Sequence, residues 1–168
     1  MFLIHWLFRH PSNERRMMSN FTRSNWTDEF STPTVESLRS DIEQPTQALF
    51  DQARSMFLDL EEIEEDFSWY GECWHWAITF SLTDHDDDTP LGIIIPSPED
   101  LQVAMPMDQE FHVSVPTKRM KRMIKDGFEL AADPFHTSWA VWSISTTSML
   151  TDIGQLAKQK LRWILDNH

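Results

Sequence analysis

Cysteine is nearly absent from this sequence: Cys73 is the only one among 168 residues. An internal disulfide framework is therefore excluded, and so is a zinc site built from several thiolates. A chain without disulfides suits a reducing compartment, which predicts a cytoplasmic protein.

Glycine is also scarce. The chain has four Gly residues, too few for the glycine-rich loops that bind phosphate groups. It contains no nucleophile elbow, no Walker loop, no dinucleotide-binding fingerprint and no HExxH zinc motif. Because no catalytic motif is recognised, the sequence favours a non-catalytic protein.

Positive charge is low relative to negative charge. Lys and Arg total 14, Asp and Glu total 27, and the formal net charge is -13. A surface of that sign repels phosphate backbones, so we expect no nucleic-acid partner.

Long hydrophobic runs are missing too. The apolar run at residues 2–8 is far too short to span a bilayer, and it lacks the flanks of a secretory signal. We expect residues 1–16 to be a mis-called or disordered extension, with translation starting at Met17 or Met18. Residues 17–33 form a polar lead-in, and residues 34–166 form a single domain.

The apolar residues that are present follow two periods. Steps of three and four residues predict a helix from about Thr46 onward. Its apolar stripe consists of Leu49, Ala53, Met56, Phe57, Leu60 and Ile63. Alternation then predicts a strand over residues 73–80. One of its sides carries Trp74, Trp76, Ile78 and Phe80, and the other carries Cys73, His75, Ala77 and Thr79.

Similar patterns predict the remaining elements. Helices are expected over residues 34–43, over 116–130 and from about Thr147 to the end, and strands over 91–97, 101–106 and 138–145. Residues 111–115 fit either a strand or the start of a helix. Trp139 and Trp142 lie an odd number of residues apart on one predicted strand, so they are expected on opposite faces.

Strands joined by connections this short must pair antiparallel. The sequence therefore predicts an α+β fold: a single antiparallel sheet of about four to five strands, with N-terminal, middle and C-terminal helices packed on one face.

The order of these motifs is similar to that of a known group. A "WYG…W.WAI" strand follows an amphipathic helix, and an "RMI" helix, an "SWAVWSI" strand and a terminal "IGQLAKQKL" helix come later. Over residues 34–166 this order resembles the YdhG-like group of uncharacterised bacterial domains. The resemblance implies a small intracellular α+β domain. It also suggests iron binding as a function to test, because some members of the wider group are described as frataxin-like iron chaperones.

A thiol-centred site is one hypothesis. On a strand, Cys73 and His75 project from the same face, and Glu72 is adjacent in sequence. A Cys with a nearby His base is the arrangement that thiol enzymes use. The alternative is a small buried thiol in an ordinary core.

Aromatic residues supply a second hypothesis. The candidates lie in or beside the predicted strands: Trp69, Tyr70, Trp74, Trp76, Trp139 and Trp142. Aromatic rings that line a sheet can bind a flat or apolar small ligand, or a protein partner, and indole N–H groups can orient it. Ordinary core packing is the alternative, and a homodimer would also bury surplus Trp and Met side chains.

Acidic residues supply the third hypothesis. They crowd the predicted end of the second helix and the turn after residue 83, and the candidate ligands are Glu61, Glu64, Glu65, Asp86 and Asp88. Carboxylate oxygens suit iron and other divalent cations. No cofactor is expected unless these residues bind such a cation. The alternative is a solvated surface that promotes solubility.

Overall fold

The computed structural model describes residues 24–83, 89–129, 131 and 138–167. The expected extension at residues 1–16 and the two candidate metal ligands Asp86 and Asp88 lie outside these ranges.

Five strands form one sheet in the described part of the chain. They are β1 (Ile63–Trp69), β2 (Trp76–Leu82), β3 (Gly92–Pro96), β4 (Leu101–Met107) and β5 (Ser138–Ser143). Each strand pairs antiparallel with the next, in the order β1-β2-β3-β4-β5. The predicted α+β class with a single antiparallel sheet is confirmed.

The α-helices of the described ranges are α1 (Val35–Asp41), α2 (Gln44–Leu58), α3 (Gly71–Trp74), α4 (Gln109–Ser114), α5 (Arg122–Glu129) and α6 (Thr147–Asn167). Short 3-10 helices cover Asn25–Thr27 and Thr117–Arg119. None of the helices in these ranges is long and apolar enough to cross a membrane.

Local chemistry accounts for several helix starts. Thr34 accepts a hydrogen bond from Ser37 N, and Ser37 Oγ accepts one from Thr34 N, so a reciprocal cap begins α1. Pro45 lies in the first turn of α2, where a missing N–H removes no helical bond. The start of α6 at Thr147 is confirmed, and the undecided residues 111–115 fall mostly within α4.

The prediction that the second helix extends to Ile63 is wrong. α2 ends at Leu58, Glu62 takes a positive φ of 62°, and β1 begins at Ile63. Ile63, Phe67 and Trp69 all fall on odd positions, a strand period that Glu65 and the neighbouring acids obscure. Several of the acids expected at a helix end therefore lie on an edge strand.

The main core lies between the sheet and the longer helices. Phe57 of α2 stacks on Phe80 of β2, with ring centroids 4.5 Å apart. Gly92 makes this possible, because a Cβ there would lie 2.6 Å from Phe57 Cζ. Trp142 is buried on the same side, with 3% of its surface exposed.

The second face of the sheet has a smaller core of its own. Its buried residues are Ala77, Ile93, Ile95 and Ala104. Trp139 and Val141 of β5 pack against them, so Trp139 and Trp142 lie on opposite faces, as predicted. Three further aromatic side chains, Trp26, Tyr70 and Trp74, cover this face from outside the strands.

Candidate functional site

The segment between β1 and β2 places aromatic rings over the second face. Gly71 has a φ of 74°, a left-handed conformation that suits glycine, and it starts the single turn of α3. Tyr70 N donates to His75 O and His75 N donates to Gly71 O, each at 2.8 Å, which closes the turn. Tyr70 and Trp74 then pack on the small second core.

This turn contradicts the prediction that Cys73 and His75 share one face of a strand. Cys73 lies in α3 and is exposed, as is Glu72, whereas β2 begins only at Trp76. The His75 ring contacts the rings of Trp26 and Trp69, with centroid distances of 4.5 and 5.4 Å. Within the described residues, neither Cys73 nor Glu72 bonds to the imidazole, so no thiol–base pair is assembled.

Three aromatic rings meet on the second face, and we call them the aromatic triad: Tyr70, Trp74 and Trp139. Their ring centroids are 5.9 Å apart for Tyr70–Trp74, 6.1 Å for Tyr70–Trp139 and 5.2 Å for Trp74–Trp139. The interplanar angles of 55° to 83° are those of tilted and edge-to-face contacts, which the ring quadrupoles favour. All three side chains are half-buried.

The polar atoms of the triad reach the surface. Tyr70 Oη, Trp74 Nε1 and Trp139 Nε1 make no hydrogen bond within the described part of the chain. The one buried side-chain N or O atom that lacks a partner there is His75 Nδ1, so these three atoms are not buried. Burial of the ring nevertheless raises the pKa of the Tyr70 hydroxyl above its ordinary value.

The other predicted aromatic residues have structural contacts. Trp76 Nε1 donates to Asp28 O at 2.7 Å, and Trp142 Nε1 donates to Ile124 O at 3.0 Å. Trp69 lies edge-on to Trp76, with centroids 5.7 Å apart. The structure thus brings together three of the six predicted residues, places Trp69 and Trp76 beside each other, and leaves Trp142 on the helix face.

Trp26 is part of this face and was missed by the sequence reasoning. Its Nε1 donates to Trp74 O at 3.2 Å, which ties the 3-10 helix at Asn25–Thr27 to α3. Ser24 caps that helix and bonds to Asp41 at 2.8 Å. A lone Trp two residues after a capping Ser, in a polar segment, is the sequence signal that could have identified Trp26.

The three candidate metal ligands within the described ranges, Glu61, Glu64 and Glu65, do not form a metal site there. Glu61 and Glu64 are exposed, whereas Glu65 Oε1 accepts a hydrogen bond from Arg54 Nη2 at 3.0 Å on the helix side. Across the described ranges, no group of three or more His, Cys, Asp or Glu side chains is positioned to hold a metal ion.

A cleft of about 480 Å³ lies at one end of the sheet. Lys160 and Trp163 of α6 line it together with Asp108 and Glu110. Lys160 is 1% exposed, and its Nζ donates to Leu91 O at 3.3 Å. No residue of the aromatic triad lines this cleft, so the triad and the cleft are separate features.

Together, the fold and the second face define a single-sheet α+β domain whose sheet is capped by an aromatic triad. Comparison of the chain with protein-family models, with curated proteins and with solved structures gave no match. The assignment of function therefore depends on the geometry of this face.

Proposed function

We propose that this protein is a non-catalytic binding domain that holds a small, flat, apolar ligand on the aromatic triad. The observation that carries the proposal is the set of three half-buried rings whose polar atoms have no partner in the described residues. Flat rings would contact the triad by their faces or edges, and a ligand carbonyl would accept from an indole N–H or from the Tyr70 hydroxyl.

The expected affinity is modest. Burial of roughly 200 Å² of apolar surface contributes about 5 kcal/mol, and one hydrogen bond adds about 1 kcal/mol. Lost translational and rotational freedom offsets part of this total of about 6 kcal/mol, so the dissociation constant should be weaker than the order of tens of micromolar that the total alone would give. A protein partner that inserts a flat side chain at the same place is the other occupant of this face, and it would use the same donors.

The proposal extends to the cellular compartment and the family of the protein. Cys73 is exposed and unpaired with another thiol, and such a thiol persists in a reducing compartment, which supports a cytoplasmic location. Membership of the YdhG-like group is likewise proposed on the sequence motifs. The iron-chaperone and thiol-enzyme alternatives lack an assembled site in the described residues.

NMR of the indole N–H signals tests the proposed function. Coumarin and flavone serve as flat probes with a carbonyl acceptor, and camphor serves as a compact apolar ketone of the wrong shape. We expect the flat probes to shift the Trp74 and Trp139 signals, while those of Trp26, Trp76 and Trp142 stay in place because backbone carbonyls already accept from them.

Substitution provides the matched control. Trp139→Leu removes one ring of the triad, and we expect it to weaken flat-probe binding about tenfold. Trp163→Leu removes another half-buried Trp, on α6 and away from the triad, and should leave binding unchanged. Equal shifts at all indoles, or equal affinities in the two variants, would contradict the proposal.

A further inference from the structure

The outer edge of β1 carries main-chain groups that point away from the sheet. Thr83 N donates to Glu62 O and Tyr70 N donates to His75 O, each at 2.8 Å, at the two ends of the β1–β2 pairing. In an antiparallel pair, every second residue bonds to the partner strand and the residues between them face outward. The outward residues of β1 are therefore Ile63, Glu65, Phe67 and Trp69.

In the described part of the chain, no strand pairs with these outward main-chain groups. Phe67 N donates to the side chain of Asp66 at 2.8 Å, and no main-chain hydrogen bond to the other three is present there. β2 and α2 make the principal contacts of β1. At the opposite edge, α5 packs along β5, so close that a Cβ on Gly127 would lie 3.0 Å from Val141 O.

The side chains of β1 differ between its two faces. On the helix face, Ile63, Phe67 and Trp69 are half-buried apolar residues beside the open edge. Glu65 shares that face and is paired with Arg54. On the second face, Glu64 and Asp66 are exposed and lack an ion-pair partner in the described residues. The edge thus combines apolar surface, negative charge and main-chain groups that no strand pairs with in the described residues.

We propose that an extended basic peptide segment adds to β1 as a sixth strand. Side chains of a paired strand lie beside those of β1 on the same face. The peptide that fits therefore alternates, with apolar residues next to Ile63 and Phe67 and with Lys or Arg next to Glu64 and Asp66. The main-chain hydrogen bonds supply binding, and the alternation supplies specificity. This surface is separate from the aromatic triad, and the inference does not depend on the function proposed above.

Charge disfavours a second copy of this chain as the occupant. Pairing β1 with itself would place Glu64 and Asp66 beside the same acidic residues, and like charges on neighbouring strands destabilise a sheet. Acidic side chains on an edge strand are also a common protection against self-association.

Residue-resolved amide hydrogen exchange of the full-length chain, measured with and without a synthetic peptide, tests the inference. The probe is acetyl-Gly-Lys-Val-Lys-Val-Lys-Val-Lys-Gly-amide, and the control peptide has the same composition with its Lys and Val residues in separate blocks. We expect the probe to slow exchange of the outward Ile63, Glu65 and Trp69 amides about tenfold. The amides of Glu64 and Asp66 already bond to β2 and should change little.

A pair of charge-matched variants separates strand addition from general attraction. Glu64→Lys with Asp66→Lys should weaken probe binding about tenfold, and Glu99→Lys with Glu110→Lys, at exposed sites elsewhere, should weaken it much less. The inference is overturned by no binding, by binding without protection of the outward amides, or by equal losses in the two variants. It is also overturned if these amides are protected without peptide in a concentration-dependent way, since a second copy would then occupy the edge.

Discussion

Replacing Gly127 by Ala sets two physical effects against each other. Gly127 lies inside α5, where Ala is ordinarily preferred by about 1 kcal/mol. A Cβ at this position would lie 2.3 Å from Trp142 Nε1 and 2.6 Å from Trp142 Cδ1. Helix propensity alone thus predicts a more stable protein, whereas the packing predicts a less stable one.

The packing effect should be larger. Trp142 is 3% exposed and its Nε1 donates to Ile124 O, so the indole cannot move without losing a buried hydrogen bond. Overpacking of a core costs about 1–3 kcal/mol, and the lost bond costs about 1 kcal/mol. After subtraction of the propensity gain of about 1 kcal/mol, Gly127→Ala should lower the free energy of unfolding by about 1–3 kcal/mol.

Urea unfolding monitored by Trp fluorescence measures this change. Gly154→Ala in α6 is the matched control, since its Cβ would meet Met56 Cγ at 3.0 Å and Sδ at 3.3 Å. The Met56 side chain is flexible and can yield, so this variant should be unchanged or up to about 1 kcal/mol more stable. If Gly127→Ala is as stable as Gly154→Ala, the proposed contact between α5 and Trp142 is refuted.

Further predictions concern titration, thiol reactivity and capping. Tyr70, the only Tyr, has a raised pKa in the folded protein. Its ionisation should leave the free energy of unfolding unchanged below the unfolded-state pKa of 10.0 and lower it as pH rises from 10.0 through the folded-state pKa. Tyrosinate absorbance should show this, and Trp139→Ala should move the pKa back toward its ordinary value. Iodoacetamide should label exposed Cys73 in the native protein no faster than a free thiol, and much faster labelling would revive the thiol-enzyme hypothesis. Thr34→Ala should lower the free energy of unfolding by about 0.5–2 kcal/mol in the same urea assay, and no loss would mean that the cap of α1 does not contribute.

Elements with a clear apolar period were predictable from local sequence. The start of α6, the strand at Gly92–Pro96 and the separation of Trp139 from Trp142 all follow from side-chain direction alone. The sequence did not identify β1, because a run of acidic residues after an amphipathic helix is typical of the solvent-exposed end of that helix. Its identity as a strand depends on pairing with β2, which is a contact between residues distant in the chain.

The candidate site was predicted in part, for the same reason. Tyr70, Trp74 and Trp139 were among the expected ligand-binding residues, but their grouping was not predictable from spacing. It requires the left-handed Gly71 and the turn of α3, which carry two rings across the sheet to a third from the far edge strand. Trp76 and Trp142 are also Trp residues on strands, but their indole N–H groups donate to backbone carbonyls.

The sequence by itself determined the α+β class, the antiparallel pairing of consecutive strands and the placement of the two β5 indoles on opposite faces. Short connections and a two-residue period leave few alternatives for these features. Only the tertiary structure decided which rings meet, which acids lie on the edge strand β1 and which indole donors lack a partner in the described residues. These depend on how segments far apart in the chain pack together, and a strand period alone carries no information about that packing.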